Sequence, residues 1–261
     1  MLHIASSEHP WTQSSASANK RWRQRFEAMR GRHRGLALTR RPELSPKAES
    51  ALLRSVAVFQ LGVSGDGVHL LACAERSADD DYVRATELFI AEEQNHAALL
   101  AQILGVFDQP LLERHWTHRV FRTLRRGSGL RNELLVLLLA EIVGAKYYEA
   151  LRDGLDDAGL ARVFGAIAAD EERHLDFHGE TLNQFLSEWP SPIFWTARIT
   201  WNVAIRGASV VAAITHRHIL RECGVSVRQF ATACVSAARE QEPRLFRHST
   251  HRAPLAGWVV G

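Results

Sequence analysis

The sequence predicts an all-α protein built on a four-helix bundle with additional C-terminal helices, and three observations carry that expectation. From residue 49 onward apolar residues recur at spacings of three and four, the period of one helix face. No run alternates strictly between apolar and polar residues, as a half-buried strand would. Glycines, prolines and capping residues cut the periodic stretches into helix-sized pieces.

The first helix is expected over about 50–77, with Leu52, Val56, Phe59, Val63 and Leu70 inward. Pro46 lies just upstream, where a helix start tolerates it. Asp79 to Asp81 place acid at the start of a second helix, where the dipole favours it. Its inner face runs Tyr82, Thr86, Phe89, Glu93, His96, Leu100 and Ile103, and Gly105 is the expected left-handed cap. A short amphipathic piece at 111–125 leads to a third helix over 129–153, facing inward with Leu134, Leu137, Glu141, Tyr148 and Leu151. The fourth, over 157–187, presents Phe164, Ile167, Glu171, His174, His178, Leu182 and Phe185 until Pro190 and Pro192 break it. Residues 193–221 read as one long apolar helix whose Arg198, Asn202 and Arg206 argue against a membrane span. That helix suits packing across the bundle or a homodimer interface. Gly224 closes it, and Ser226 with Gln229 gives a capping pattern for a last helix to about 240. The expected organisation is a disordered tail (1–19), a basic arm (20–49), the bundle (50–188), helices packed on it (189–241) and a flexible tail (242–261).

Composition excludes several classes. Of 261 residues, 46% are apolar and 25 are glycine or proline, so collagen-like and wholly disordered chains are out. Cys73, Cys223 and Cys234 are far apart with no C-x-x-C, which writes neither a disulfide framework nor a thiolate zinc site. Residues 1–19 lack the apolar core of a signal peptide, and the expected compartment is the cytoplasm. The net charge is only +3, but Lys20 to Arg41 holds nine basic residues against Glu27 alone. Carboxylate pairing or a solvated face explains this run better than nucleic-acid binding, because few aromatics accompany it. The rival reading is an arm that holds phosphates.

The chemistry rests on two Glu-x-x-His motifs, Glu93 with His96 and Glu171 with His174. On a helix that spacing puts carboxylate and imidazole on one face, where both reach the same ion. With these residue frequencies about one such match is expected by chance, so the signal lies in placement. Both motifs fall on apolar faces, where an ionised carboxylate is costly unless paired or bound to metal. Glu141 lies 30 residues before Glu171, and the same offset before Glu93 lands on Val63. Two lone glutamates plus two Glu-x-x-His motifs is the ligand set of di-iron carboxylate bundles.

The segments Phe59-Gln60-Leu61-Gly62, Ala91-Glu92-Glu93-Gln94-Asn95-His96-Ala97, Ala140-Glu141-Ile142 with Tyr147-Tyr148, and Asp170-Glu171-Glu172-Arg173-His174 with Phe177-His178 resemble the bacterial ferritin-like di-iron carboxylate superfamily. The resemblance spans roughly residues 20–240. It implies a ferritin-like bundle whose iron, held by Glu93, His96, Glu141, Glu171 and His174, activates O₂ to oxidise or hydroxylate a small molecule, with electrons from an external donor. The chain departs from that pattern at Val63, which cannot ligate; Asp66 or Gln60, each about a turn away, is the candidate substitute. Two irons, or one where the missing ligand leaves a modified centre, is the corresponding expectation. The alternative is a degenerate bundle that binds or interacts without catalysis. His178 is expected beside the centre, facing substrate or supporting a ligand, and Tyr148 as a core residue.

Overall fold

The computed structural model describes residues 13–126, 130–186 and 191–246. Every regular element among them is helical: α1 (Gln13–Met29), α2 (Pro46–Val63), α3 (Val68–Glu75), α4 (Asp80–Val106), α5 (Trp116–Arg126), α6 (Leu130–Gly154), α7 (Ala158–Leu186), α8 (Ser191–Thr215), α9 (Arg217–Glu222) and α10 (Val227–Leu245). The all-α expectation holds among these residues.

Local chemistry sets most boundaries. Ser45 Oγ accepts the Ala48 N–H at 3.2 Å and Pro46 follows it, so α2 starts four residues before the expected position. The helix expected over 50–77 is two helices. Ser64 to Gly67 leave the helix, and Gly67 turns into the left-handed region (φ 68°) with Ile90 packed where a Cβ would stand, 2.7 Å away. Asp66 is an exposed residue of this turn, its Oδ1 accepting the Val68 N–H at 3.2 Å. Asp79 caps α4 through the Tyr82 N–H at 2.9 Å. The helix runs through Gly105, and the left-handed residue after it is Asp108 (φ 54°), not the expected glycine. The long helix expected over 193–221 breaks at His216 into α8 and α9. Gly224 (φ 74°) closes α9 as expected, with the Val225 N–H bonding to the Leu220 carbonyl at 2.8 Å. The Ser226–Gln229 capping box forms, and α10 continues past Pro243 to the buried Leu245, whose carbonyl accepts from Asn183 Nδ2 at 3.0 Å. Residues 242–246 are therefore docked; the remainder of the expected flexible tail lies outside the described residues.

The N-terminal expectations also change. Residues 1–12 lie outside the described residues, but 13–19 already belong to α1, with Ala18 and Asn19 buried. The basic stretch is not a free arm. Trp22 and Phe26 enter the core, Phe26 meeting Phe177 edge-on at 5.2 Å between centroids, and Trp22 Nε1 donates to Glu180 Oε2 at 2.7 Å. Burial of each aromatic stabilises by about 1.5–3 kcal/mol. Its arginines find carboxylates: Arg21 with Glu180, Arg23 with Asp81, Arg40 with Asp157 and Arg41 with Glu49.

α6 and α7 form the closest helix pair, α4 packs against α1 and α2, and α10 lies across α8, α7 and α6. The predicted inner faces are buried: Leu134, Tyr148 and Leu151 on α6, and Phe164, Ile167 and Leu182 on α7, are each wholly enclosed. Residues 46–75 are apolar enough, by length and composition, to cross a membrane (mean hydropathy 1.4). In this fold they are the broken pair α2 and α3, with Leu52 and Val56 in the core.

Candidate metal centre

The five expected ligands come from three helices: Glu93 and His96 from α4, Glu141 from α6, Glu171 and His174 from α7. One atom each of Glu93, Glu141, Glu171 and His174 lies within 4.8 Å of all the others. His174 Nδ1 is the hub, 3.2 Å from Glu93 Oε1, 3.5 Å from Glu141 Oε2 and 3.6 Å from Glu171 Oε2. His96 joins from the side, its Nδ1 3.1 Å from Glu93 Oε1 and 3.7 Å from Glu171 Oε1. The structure thus brings all five together. Of the candidates on and after α2, Val63 offers no donor, Asp66 is exposed in the turn, and Gln60 is buried on α2.

The decisive feature is what these atoms lack. Glu93 Oε1, Glu171 Oε2, His96 Nδ1 and His174 Nδ1 are buried with no hydrogen-bond partner. They face chiefly one another, at 3.1–3.2 Å between Glu93 Oε1 and the two Nδ1 atoms, and buried carboxylate oxygens and imidazole nitrogens gathered in this way are donors that a divalent cation could use. The residues are therefore a group that could hold a metal ion.

The opposite edges of both rings are tied down. His96 Nε2 donates to Asp170 Oδ2 at 2.9 Å, and His174 Nε2 donates to Glu92 Oε2 at 3.1 Å. The pairing crosses between helices: Asp170, preceding Glu171 on α7, holds His96 of α4, and Glu92, preceding Glu93 on α4, holds His174 of α7. With Nε2 donating outward, a neutral ring turns its Nδ1 lone pair inward, the arrangement that orients metal-bound histidines. Arg32 secures both carboxylates, with Nη1 2.6 Å from Glu92 Oε1, Nη2 2.9 Å from Glu92 Oε2 and Nε 3.0 Å from Asp170 Oδ1. His33 Nε2 lies 2.9 Å from Asp170 Oδ2, and Arg173 pairs with Asp170 as well. Sequence reasoning missed Glu92, Asp170, Arg32, His33 and Arg173; the available signal was the repeated acid before each ligand glutamate, Glu92-Glu93 and Asp170-Glu171.

The electrostatics separate the two layers. Burial would raise Glu92, but Arg32 and His174 hold it down to about 2. Asp170 is likewise lowered, against burial, by His33, His96 and Arg32. Inside, burial together with the charges of Glu141 and Glu93 pushes Glu171 well above the carboxylate range. Glu93 is held low, against burial, by His174 and His96. Burial should depress both imidazoles, yet the carboxylates around His174, and Asp170 with Glu93 around His96, raise them. The inner cluster gathers protons at the position where a cation would supply the same charge.

His178, one turn beyond His174, is buried with neither ring nitrogen partnered, and its Nε2 lies 4.0 Å from Glu141 Oε1. Burial pushes its pKa down to about 4, so the ring is neutral. Tyr148 is fully buried, its hydroxyl unpartnered, with burial and then the charge of Glu171 raising its pKa. A second group, His69, Cys73 and Glu133, is already engaged in protein contacts: His69 Nδ1 lies 2.6 Å from Glu133 Oε2, and Arg76 donates to Cys73 Sγ at 2.8 Å. Neither a protein-family model, nor a curated protein, nor a solved structure matches the chain.

Proposed function

We propose that the protein is a ferritin-like non-haem iron oxidoreductase that uses O₂ to oxidise or hydroxylate an organic molecule. The observation that carries the reading is the convergence of buried Glu93, Glu171, His96 and His174 atoms on one another, with the histidines braced from behind. Glu93, His96, Glu141, Glu171 and His174 would hold the iron, two ions or one, and bound iron supplies the electron transfer to O₂ that a closed-shell carbon centre does not undergo directly. For a hydroxylation, one oxygen atom enters a C–H bond and the other leaves as water, consuming two electrons and two protons from an external donor. The chain's own groups do the rest. Glu92 and Asp170 keep the imidazoles oriented, the apolar shell of Phe89 and Phe177 excludes water, and Glu171 is the carboxyl whose pKa burial and the charges of Glu141 and Glu93 raise.

Iron analysis of protein purified anaerobically under reducing conditions tests the reading, with about two irons per chain expected for a full centre and about one for a modified centre. His174→Ala abolishes uptake while far-UV circular dichroism keeps its helical signal. The second reading, a metal-free bundle serving as a binding or interaction module, has Val63 in its favour. No iron, together with unchanged thermal stability on adding Fe(II), selects it.

A further inference from the structure

A cavity of about 480 Å³ lies against the centre, bounded by α2, α4, α5, α6 and α8. Its inner end is Glu93, Glu141, Glu171 and Tyr148. Its outer end is α5, where Trp116, Val120 and Leu124 line the space while remaining 52%, 49% and 58% exposed. Residues that line a cavity and are also half open to solvent mark its mouth, so the space runs from the α5 surface to the carboxylates.

Small residues create the room. Ala204, Ala208 and Ala212 stand four apart on α8 and form one wall. Gly62 in the last turn of α2 and Gly65 just after it, both exposed, line the same space, and a Cβ on either would meet nothing within 4 Å. The rest of the lining is mostly aliphatic and aromatic, including Phe59, Ile90, Phe121 and Leu139, with Thr117, His118 and Thr215 among its polar members.

Charge narrows the occupant further. Among the described residues no lysine or arginine lines the cavity. His216, on its wall, is neutral, because burial pushes its pKa down to about 3. In the metal-free protein a carboxylate or phosphate on the occupant would thus face Glu93, Glu141 and Glu171 with no lysine or arginine among the described lining residues to meet it. At about 30 Å³ for each water-sized group, the volume holds on the order of fifteen non-hydrogen atoms.

We propose that this cavity is the substrate site and takes an uncharged, predominantly apolar molecule of that size, admitted beside α5. The inference rests on the metal-centre reading for its reactive end, but the binding itself does not require metal. The test titrates the full chain, stripped of metal with a chelator, with 1-aminoanthracene, a neutral apolar fluorophore of the expected size, and with anthracene-1-carboxylate, its anionic counterpart. The amine binds saturably at one site with blue-shifted emission, and the carboxylate binds more than about a hundredfold more weakly. Ala208→Phe, or the smaller Ala204→Leu should the first variant not fold, weakens the amine by more than about tenfold at unchanged helix content. Val203→Glu, on the outer face of α8 where Val203 is 66% exposed, leaves binding unchanged. Equal binding of both probes, or full affinity in a folded cavity variant, overturns the assignment. Iron measured on the same preparations before the chelator is added keeps the two readings apart. Iron without probe binding overturns the cavity assignment alone, whereas probe binding blocked by the alanine substitutions in protein that takes no iron upholds the cavity and overturns the centre.

Discussion

Replacing Arg32 by alanine is the sharpest perturbation of the centre that leaves every expected ligand in place. The guanidinium donates to both oxygens of Glu92 and to Asp170, and those two carboxylates in turn hold His174 and His96. Glu92 is 7% exposed and Asp170 1%, so removing the cation strands charge that water cannot reach. Breaking a buried pair from one side costs about 3–5 kcal/mol. Because His33 and Arg173 still serve Asp170, the lower figure, about 3 kcal/mol, is expected. Under the proposed function, loss of the groups behind His96 and His174 weakens metal affinity by a further factor of about 10–100. Arg32→Lys falls between the two, since an ammonium replaces the charge but not the fork that spans both carboxylates. Urea denaturation reads the first quantity and Fe(II) or Mn(II) titration against a competing chelator the second. An Arg32→Ala protein within about 0.5 kcal/mol of the parent and equal in metal affinity would refute the bracing argument.

Three further outcomes are expected. Val63→Glu places a carboxylate where α2 borders Glu93 and Glu141, and raises the metal content after anaerobic loading; an unchanged ratio shows that α2 is wrongly aligned with the centre. His216, buried against Ser55 at 2.7 Å, stays neutral in the fold down to about pH 3 while the unfolded chain takes up a proton below its ordinary pKa of about 6.5. Its contribution is therefore complete above that value and drains as pH falls, by about 2 kcal/mol at pH 5, and His216→Asn flattens this slope in denaturation measured across the range. Gly154→Ala puts a Cβ 2.3 Å from Cys223 Cβ and 2.5 Å from its Cα, where α6 meets the turn after α9. It lowers the urea midpoint by an amount equivalent to about 1–3 kcal/mol, and an unaltered midpoint contradicts that close approach.

The inner faces of α4, α6 and α7 were legible because a ligand at a helical register must share its face with the core, so Glu93, Glu141, Glu171 and His174 advertise themselves as charged residues in apolar rows. The break between α2 and α3 was not. Val63 and Leu70 are seven residues apart, two helical turns, so the apolar period survives the interruption at Ser64 to Gly67 and conceals it. The three glycines at 62, 65 and 67 were the usable signal, and their effect on Asp66 was decisive, since a turn exposes the residue that a continuous helix would have turned inward. The outer carboxylates were hidden for another reason. Glu92 and Asp170 stand one residue, about 100° of helix rotation, before Glu93 and Glu171, where a solvated face normally begins. They are buried because the segment after α1 brings Arg32 and His33 across them, a long-range contact that no local pattern encodes.

That contact also gives the basic run a role that composition alone left open. Five carboxylates from α4, α6 and α7 crowd one region: Glu92 and Asp170 outside, Glu93, Glu141 and Glu171 inside. The outer two are met by Arg32 and Arg173; no arginine or lysine is paired with the inner three among the described residues, which share His96, His174 and their protons. The chain therefore neutralises one layer with its own cations and leaves the other short of positive charge, which is the condition for taking a cation from solution. Under the proposed function, Val63 then sets how much cation. Three carboxylates do not balance two divalent ions, and the side that would have used a carboxylate from α2 has the weaker donor set. One ion should bind ahead of the other, so a stepwise rather than a single-phase Fe(II) titration follows, collapsing toward one phase when Val63 is replaced by glutamate.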